Sequence, residues 1–357
     1  MDIYVLDKDF NAIELIDTYT SIIWTTRYYD FGDFELYLPV TNRLIEVLQR
    51  DYYLVRDKDI LQENGKITYQ NVMVIEDIEI TTSVEDDNYL LVTGRDLKTI
   101  LKRRIIWQQT NLSGKVELGI RQLIIENIIN PTISARKISN FALGEIVGLT
   151  DTISAQYTGD ELEEVISTLC KTYNYGHDIK IVNNTFVFYL YVGEDRSYNQ
   201  TKNPYVVFSA EFENLLTTSY KVSSQEYRNV ALIYGEGEGL HRNTATVGTA
   251  AGLYRYEKYV DGSGVTNNDG EYGVNEYVKL LEATGIESLQ ENLIEESFEG
   301  STDTSLSYEL NKDYFLGDVV QVINEYGISA TPRILEIIES EDENGKTIIP
   351  TFSTLEV

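Results

Sequence analysis

Short runs of tyrosine and β-branched residues, each interrupted by Gly, Asn or Asp, constrain this sequence more than any other feature. Tyrosine is the dominant aromatic residue, with 27 Tyr against 11 Phe and 2 Trp. Tyr, Val, Ile and Thr suit a pleated, half-buried surface, and the interrupting residues suit tight turns. The pattern therefore predicts a chain built mainly of short β-strands.

The N-terminal part is predicted to be a series of strands joined by turns. The predicted strands are Ile3–Leu6, Ser21–Tyr28, Phe34–Leu38, Tyr52–Arg56, Met73–Thr81 and Tyr89–Thr93. Met73–Thr81 alternates apolar and acidic residues, which is typical of a strand with one exposed face. Turns are predicted at Asn64-Gly65, a pair that tolerates positive φ, and at Asp86-Asp87-Asn88.

The middle of the chain changes to helical spacing. Val116–Ile128 carries apolar residues on one helical face and ends at Asn130-Pro131. Thr158-Gly159-Asp160-Glu161 has the pattern of a capping box before a second helix, which is expected to end near Asn174. A hairpin is predicted around Asn183-Asn184. These elements indicate a small α+β domain.

Strands return in the C-terminal part of the chain. Predicted strands are Tyr220–Val222, Val230–Tyr234, Val319–Ile323, Arg333–Ser340 and Thr347–Ile349, the last two joined across Asn344-Gly345. The polar stretch Asp261–Gly273 predicts an exposed loop. Val274–Leu281 and Ile286–Ile294 are predicted to form two short helices.

Two segments at opposite ends of the chain share one pattern. Asp51-Tyr52-Tyr53-Leu54-Val55 precedes the strand Val74–Glu79, and Asp313-Tyr314-Phe315-Leu316-Gly317 precedes Ile334–Glu339 at a similar distance. We interpret the pair as two copies of one β-barrel-like module; chance similarity between β-rich segments is the alternative.

The predicted fold class is therefore α+β, mainly β, with two related barrel-like modules flanking a small α+β domain. Residues 1–107 form the first module and 108–204 the middle domain. Residues 205–357 form the second module, with a helical and loop insertion around 236–305.

The charge balance argues against several classes of protein. The chain has 58 Asp and Glu against 29 Lys and Arg, a net charge of −29 at pH 7. Sequence-independent nucleic-acid binding and docking on an anionic membrane both require a basic patch. The apolar runs are shorter than a membrane span, and Met1-Asp2 does not begin a signal peptide. We expect a soluble product that is synthesised in a cytoplasm and does not insert into a membrane.

Metal and cofactor sites are not expected. One Cys and two His leave no disulfide framework and too few ligands for a transition-metal site. Cys170 and His177 could form a thiolate–imidazole pair, but Cys170 lies on the apolar side of a predicted helix and is better interpreted as core. His241 stands alone in a polar loop.

The remaining candidate motifs have simpler structural interpretations. Gly235-Glu236-Gly237-Glu238-Gly239 invites comparison with a phosphate-binding loop, but its glutamates would repel phosphate, and a turn is favoured. Asp342-Glu343-Asn344-Gly345 mimics part of a calcium loop but lacks the closing glutamate, so a hairpin turn is favoured. The pairs Glu163-Glu164 and Glu295-Glu296 are interpreted as solvated faces rather than catalytic carboxylates. We therefore predict no catalytic, cofactor-binding or metal-binding residue.

Several short blocks follow one another in order along nearly the whole chain. They are Tyr4-Val5-Leu6-Asp7, Ile16-Asp17, Ser21-Ile22-Ile23-Trp24, Arg27-Tyr28-Tyr29, Gly32-Asp33-Phe34-Glu35-Leu36, Val92-Thr93-Gly94-Arg95-Asp96-Leu97, Leu101-Lys102-Arg103-Arg104-Ile105-Ile106-Trp107, Asn203-Pro204-Tyr205-Val206-Val207-Phe208-Ser209, Asn229-Val230 with the glycine–glutamate loop, Phe315-Leu316-Gly317-Asp318-Val319-Val320 and Pro350-Thr351-Phe352. In these blocks the chain resembles siphophage tail-hub proteins of the ReqiPepy type.

This resemblance implies a protein similar to the central hub of contractile-phage baseplates. Such a hub is a homotrimer, whose two barrel modules per subunit form a six-module ring beneath the hexameric tail tube. The implied partners are the distal tail protein, the tail tube, the tape measure protein, and tip or fibre proteins in the virion tail. Many members carry a C-terminal hydrolase or fibre-binding extension; because this sequence ends at Val357, we expect no lytic role.

The leading hypothesis is a structural, non-enzymatic tail-tip or baseplate hub that closes or extends the six-fold tube during DNA ejection. Part of the acidic charge is expected to line the channel, because an acidic wall repels DNA whereas Lys and Arg capture it. An ordinary solubilising surface is the alternative explanation of that charge. Two other functions stay open, namely a tail-associated peptidoglycan hydrolase and a carbohydrate-binding tail module.

Overall fold

The computed structural model describes residues 1–63, 65–82, 88–215, 217–270, 272–301 and 308–355. The predicted turn residues Asn64, Asp86 and Asp87 lie outside this part of the chain. The fold is mainly β and has several sheets. No helix in the described ranges is long and apolar enough to cross a membrane.

The N-terminal segment contributes strands β1 to β9 and two short helices. In chain order the strands are Ile3–Leu6, Ala12–Ile16, Ser21–Arg27, Asp33–Pro39, Tyr53–Arg56, Ile60–Glu63, Lys66–Tyr69, Met73–Thr81 and Tyr89–Asp96. Helix α1 is Asn42–Val47 and helix α2 is Thr99–Lys102. The strands predicted here are confirmed, and β1 and β8 have the predicted bounds.

The middle segment alternates short strands with two helices. Its elements are β10 (Thr110–Lys115), α3 (Val116–Ile124, followed by a π-helical turn at Ile125–Ile129), β11 (Phe141–Leu143), β12 (Thr152–Tyr157), α4 (Leu162–Tyr173), β13 (Gly176–Val182) and β14 (Thr185–Tyr191). Both predicted helices are confirmed, and so is the hairpin, because Asn183 and Asn184 both have positive φ. The capping box is wrong: Glu161 is the N-cap of α4 and its side chain makes no capping hydrogen bond.

The C-terminal segment completes the fold. Its elements are β15 (Val207–Ser209), β16 (Thr217–Ser223), β17 (Val230–Tyr234), β18 (Thr244–Val247), β19 (Glu257–Asp261), α5 (Val274–Gln290), β20 (Glu295–Ser301), β21 (Gln321–Ile323), β22 (Ser329–Ala330), β23 (Arg333–Asp342) and β24 (Gly345–Leu355). The prediction of two short helices is wrong, because α5 runs through Gly285. A side chain there would meet Ile233 Cδ1 at 2.5 Å, so this glycine permits close packing and does not end the helix.

The largest sheet combines strands from both ends of the chain. It has eleven strands in the order β16-β20-β24-β23-β3-β4-β9-β8-β5-β1-β2. The smaller sheets are β11-β14-β13-β7-β6, β10-β12, β15-β21-β22 and β18-β17-β19, the last covered by α5. The two halves of the large sheet meet at the antiparallel pair β23–β3.

The barrel part of the fold prediction is not confirmed. Ile16 of β2, Ile22 of β3 and Leu54 of β5 belong to one buried core, so the N-terminal half of the sheet curls around that core. However, β2 and β16 are the two ends of the strand order, and no sheet formed by the described strands closes on itself. A separate core, which includes Phe298 and Phe352, lies beneath the C-terminal strands.

Candidate functional site: a duplicated four-stranded unit

The candidate thiolate–imidazole pair lies in the protein interior. Cys170 of α4 and His177 of β13 are both fully buried. Burial raises the pKa of the Cys170 thiol and lowers that of the His177 imidazole, so both groups are neutral near pH 7. The interpretation of Cys170 as a core residue is confirmed. His241, by contrast, lies in an exposed turn.

The glycine–glutamate segment and the Asp342 segment are structural turns. Gly235 packs against Tyr277, and its carbonyl accepts a 2.7 Å hydrogen bond from Arg242 Nε. Asp342 pairs with Gly345 to close the β23–β24 hairpin, which confirms that interpretation. In the described ranges no group of three or more His, Cys, Asp or Glu residues is arranged to hold a metal ion.

Glu163 departs from the predicted solvated face. It is only 5% exposed, and its Oε1 has no hydrogen-bond partner among the described residues. Burial, followed by the charge of Asp30, raises the pKa of Glu163 to about 7. Helical spacing alone could not reveal this, because Asp30 and the loop that carries it approach α4 only in the folded chain.

The strand order of the large sheet contains the same unit twice. Strands β3, β4, β8 and β9 lie in the order β3-β4-β9-β8, and strands β16, β20, β23 and β24 lie in the order β16-β20-β24-β23. If the strands of each unit are numbered one to four along the chain, their spatial order across the sheet is one, two, four, three in both units. Both hairpins also shift register at one place, after Ile75 in β8 and after Ile334 in β23. The interpretation of an internal repeat is therefore supported by topology.

Cross-strand partners define which residues of the two units are equivalent. Phe34 and Phe298 occupy one equivalent position and are both buried, each in the core beneath its own unit. Other equivalent positions also carry the same residue type: Glu35 with Glu299, Ile75 with Ile334 and Thr93 with Thr351.

Backbone hydrogen bonds in the turn before each hairpin show which residues of the two copies are equivalent. Asp51 N–H donates to the Ile75 carbonyl, and Gly317 N–H donates to the Ile334 carbonyl, both at 2.9 Å. Both residues have positive φ, 64° for Asp51 and 92° for Gly317. Asp51 is therefore equivalent to Gly317, and its sequence alignment with Asp313 is wrong. The Asp-Tyr pattern at 313 belongs to the preceding turn.

Ion pairs hold β23 to the N-terminal part of the chain near the place where it meets β3. Arg27 Nε lies 2.5 Å from Glu336 Oε2, and the buried Arg56 Nη1 donates to Glu339 Oε1 at 2.7 Å. Lys58 also binds Glu339. Burial alone would raise the pKa of Glu339, but the charges of Arg56 and Lys58 outweigh burial and lower it to about 2.

Each unit also has an edge without a strand partner in the described part of the chain. β16 ends the strand order, and β8 pairs with β5 only at Met73 and Val74. Apolar side chains lie exposed along these edges: Ile80 is 45% exposed, Tyr220 37% and Val222 56%. Sequence patterns predicted both strands, but they could not show which strands would end the sheet.

Comparison with known proteins agrees with this architecture. The family model described as Siphovirus ReqiPepy6 Gp37-like protein matches residues 2–353. The chain is also similar to the 43 kDa tail protein of prophage MuSo2 from Shewanella oneidensis, with 15% identity, a TM-score of 0.59, and coverage of 99% of this chain and 98% of that one.

Two further solved structures have the same fold. One is the tail protein from Neisseria meningitidis MC58, with 12% identity, a TM-score of 0.57, and coverage of 99% of this chain and 96% of that one. The other is prophage tail protein gp18 from Listeria monocytogenes EGD-e, with 13% identity, a TM-score of 0.54, and coverage of 99% and 94%. No curated protein matches the sequence. Because the family model spans nearly the whole chain, the protein belongs to the Siphovirus ReqiPepy6 Gp37-like family of phage tail proteins, as the sequence blocks predicted.

Proposed function

We propose that this tail protein is a structural hub at the tail tip or baseplate, and that three copies close a ring of six four-stranded units. The observation that carries the proposal is the pair of equivalent units placed side by side in one sheet. Membership of a phage tail family supports a structural role. The trimer, the channel and the position at the tip are our inference.

The β23–β3 pairing, which joins the two units within one chain, predicts how two copies would meet. At this join β23 pairs with β3, and the strands equivalent to them, β8 and β16, have the open edges. A second copy could therefore place its β16 beside β8 in the same antiparallel register. Transferring the internal pairs to the equivalent positions gives these contacts between copies: Asp77 with Ser223, Ile78 with Val222, Glu79 with Lys221, and Ile80 with Tyr220.

The side chains brought together by this register are complementary. Glu79 and Lys221 carry opposite charges, and Glu79 would be the second carboxylate beside Lys221, which pairs with Glu295 at 2.8 Å within the chain. Ile80 and Tyr220 are both exposed aliphatic or aromatic residues. Opposite-charge and aromatic–β-branched pairs each stabilise neighbouring strands by roughly 0.2–1 kcal/mol. The contact would also cover unpaired strand edges, which otherwise promote aggregation.

This contact is heterologous, because the β8 edge of one copy meets the β16 edge of the next. Such contacts form a closed ring when the rotation between copies closes, and open filaments otherwise. Closure after three copies places six units around the axis, which matches the six-fold tube implied by the family resemblance. In this arrangement the hub would contact the distal tail protein, tail tube, tape measure protein, and tip or fibre proteins of the virion.

The sheet face that points away from the cores is proposed to line the DNA channel. Glu35, Asp77, Glu79 and Glu295 are exposed on this face, and the exposed Lys221 on the same face pairs with Glu295. Arg27 and Arg95 lie on the same face but pair with Glu336 and Glu76. The face is therefore acidic, as a wall that repels DNA requires.

Disulfide cross-linking tests both the ring and its register. Glu79→Cys combined with Lys221→Cys places two thiols at a predicted pair, and native Cys170 is buried and does not compete. In Glu79→Cys with Ser219→Cys the second thiol is roughly 7 Å further along the strand, too far for a disulfide. We expect a reducible three-chain species from the first variant and none from the second.

Native mass spectrometry of the unmodified protein, alone and with isolated tail tubes, supplies the independent measurement. A stable dimer or tetramer, or a monomer in both samples, would contradict the ring. Zymography on bacterial cell walls tests the non-enzymatic part of the proposal, and a clearing zone would overturn it.

A further inference from the structure

Four basic side chains and an exposed tryptophan line one surface cavity of this acidic protein. A cavity of about 390 Å³ is lined by Lys102, Arg103, Arg104, Ile105, Trp107, Ile133, Ala135 and Arg136, which we call the Trp107 surface. Neither Asp nor Glu is among these lining residues. Such a grouping is unusual in a chain whose acids outnumber its bases 58 to 29.

Two of the guanidinium groups have no carboxylate partner among the described residues. Arg104 donates from Nε to the Arg136 carbonyl at 3.1 Å and from Nη1 to the Arg103 carbonyl at 2.9 Å. Arg136 donates from Nη2 to the Ile105 carbonyl at 2.6 Å and to Asn127 Oδ1 at 3.3 Å. Each group keeps further N–H donors, and a carboxylate is the acceptor whose geometry and charge match them.

Mutual repulsion raises the electrostatic cost of this arrangement. Burial, together with the charge of Arg103, lowers the pKa of Arg104. Burial, together with the charge of Arg104, lowers the pKa of Arg136. The other two cations are neutralised within the chain, Lys102 by Glu161 at 3.2 Å and Arg103 by Asp51 at 2.8 Å. The positive charge that remains is therefore concentrated at Arg104 and Arg136.

Apolar surface surrounds the same cations. Trp107 is 55% exposed, and Ile105 and Ile133 are each 41% exposed. The Arg136 guanidinium lies 5.2 Å from the centre of the Trp107 ring, which orients both side chains. Trp and Arg are the residue types most enriched at the energetic centres of protein interfaces.

We propose that the Trp107 surface binds an acidic polypeptide segment of a partner protein, with a carboxylate between Arg104 and Arg136 and an apolar side chain on Trp107. A polypeptide fits better than a nucleic acid, because the net charge of −29 repels a long polyanion over roughly 8 Å of solution. A single carboxylate, by contrast, is attracted to Arg104 and Arg136 at contact distance, where these two charges outweigh the net charge of the chain. This inference does not depend on the trimeric ring.

Intrinsic fluorescence gives a direct readout of binding at this surface. The chain has two tryptophans, and Trp24 is fully buried, so acrylamide quenching reports on Trp107. The probe is a labelled peptide of alternating Glu and Leu, compared with a peptide of alternating Gln and Leu. We expect the Glu peptide to bind the full chain, to protect Trp107 from quenching, and to bind more weakly as salt is raised.

Variants localise the interaction. Arg104→Gln combined with Arg136→Gln, and separately Trp107→Ala, should each weaken binding of the Glu peptide at least ten-fold (estimated from charge-assisted hydrogen bonds and aromatic anchors). Ala135→Glu is a second route, because it adds a carboxylate at an exposed position of the surface without removing an anchor. Arg121→Gln is the matched control, since Arg121 is also half-buried and donates to a carbonyl, that of Glu145.

Four results would contradict binding of an acidic polypeptide at the Trp107 surface. Equal binding of the Gln peptide, or no protection of Trp107 by the Glu peptide, would overturn the proposal. Tighter binding of a single-stranded oligonucleotide that is lost in the same variants would reassign the surface to nucleic acid. Binding that Arg121→Gln weakens as much as the paired variant would show that only net charge matters.

Discussion

The Arg56 guanidinium donates a hydrogen bond to the Glu339 carboxylate across 2.7 Å, although 283 positions separate the two residues. Both side chains are almost completely buried, at 1% and 4% exposure. Arg56 also lies 4.7 Å from the centre of the Trp24 ring, and Trp24 is the cross-strand partner of Glu339. A buried charge pair therefore joins the two ends of the chain, in addition to the pairs that Arg56 makes with Asp59 and Glu339 with Lys346.

Replacing Glu339 with Gln should destabilise the protein at neutral pH. The change leaves Arg56 with Asp59 as its remaining carboxylate partner. Breaking one member of a buried ion pair costs about 3 kcal/mol. Chemical denaturation at pH 7 measures the loss, and Glu343→Gln in the exposed turn of the same hairpin is the control, with no change expected.

The pH dependence of stability gives a second measurement of the same group. The pKa of Glu339 is lowered from 4.5 to about 2, so its contribution to stability is present above pH 4.5 and is lost as the pH falls through 2. The wild-type protein should lose this stability between those limits, and Glu339→Gln should lack that component. Parallel acid-denaturation curves for the two proteins would contradict the assignment.

Glu163 should have the opposite effect on stability. Its pKa is raised from 4.5 to about 7, because the carboxylate is buried beside Asp30 while Lys98 and Lys102 only partly compensate. Stability from this group is present below pH 4.5 and is lost as the pH rises through 7. Glu163→Gln should therefore raise the melting temperature at pH 8 and change it little at pH 4.5.

The neighbouring residue supplies the control for this experiment. Glu164 follows Glu163 on α4 but is exposed. Glu164→Gln should leave the melting temperature unchanged at both pH values. A Glu163→Gln variant that is less stable than the wild type at pH 8 would mean that the buried carboxylate has a favourable partner.

Gly317 and Asp51 allow the structural repeat to be tested by substitution. A side chain at Gly317 would meet Tyr28 Cε2 at 2.2 Å and would also require positive φ. Gly317→Ala should therefore destabilise the protein by at least about 2 kcal/mol through overpacking and backbone strain. Asp51→Gly, at the equivalent position, should change stability by no more than about 1 kcal/mol, because glycine accepts positive φ without strain and the ion pair lost with Arg103 is exposed. Equal destabilisation by both variants in urea would contradict the equivalence.

Local sequence patterns predicted the elements better than their assembly. Alternation over Met73–Thr81 and the Asn183-Asn184 turn each depend on neighbours in sequence, and both predictions were confirmed. The single helix α5 was predicted as two, because the residue against which Gly285 packs, Ile233, lies far away along the chain. The repeat was recognised, but its register required the hydrogen bonds of Asp51 and Gly317.

The site features that were missed depend on long-range contacts. Nothing near Glu339 in sequence indicates that a strand ending in Ser-Glu-Asp would bury a glutamate against Arg56. The cations of the Trp107 surface could be seen in part as Arg103-Arg104, but Arg136 joins them only through the fold. Charge composition therefore predicted an acidic protein and could not predict the basic and aromatic Trp107 surface.

Reversing charge on the proposed channel wall should slow DNA ejection. Glu35 is exposed and lies in β4, a strand with partners on both sides. Glu35→Lys would place three lysines around a trimeric ring without altering an open strand edge. Each lysine that contacts a phosphate releases counterions, so the DNA is held more tightly at low salt.

Ejection from phage particles that carry the variant, followed with a DNA-binding dye, measures this effect. The rate should fall most at low ionic strength and recover as salt is added, because screening acts within roughly 8 Å at physiological salt. Glu164→Lys on α4 changes charge by the same amount per residue away from the large sheet and should leave the rate unchanged. If Glu35→Lys assembles normally and ejects at the wild-type rate at every salt concentration, the acidic charge is a solubilising surface rather than a channel wall.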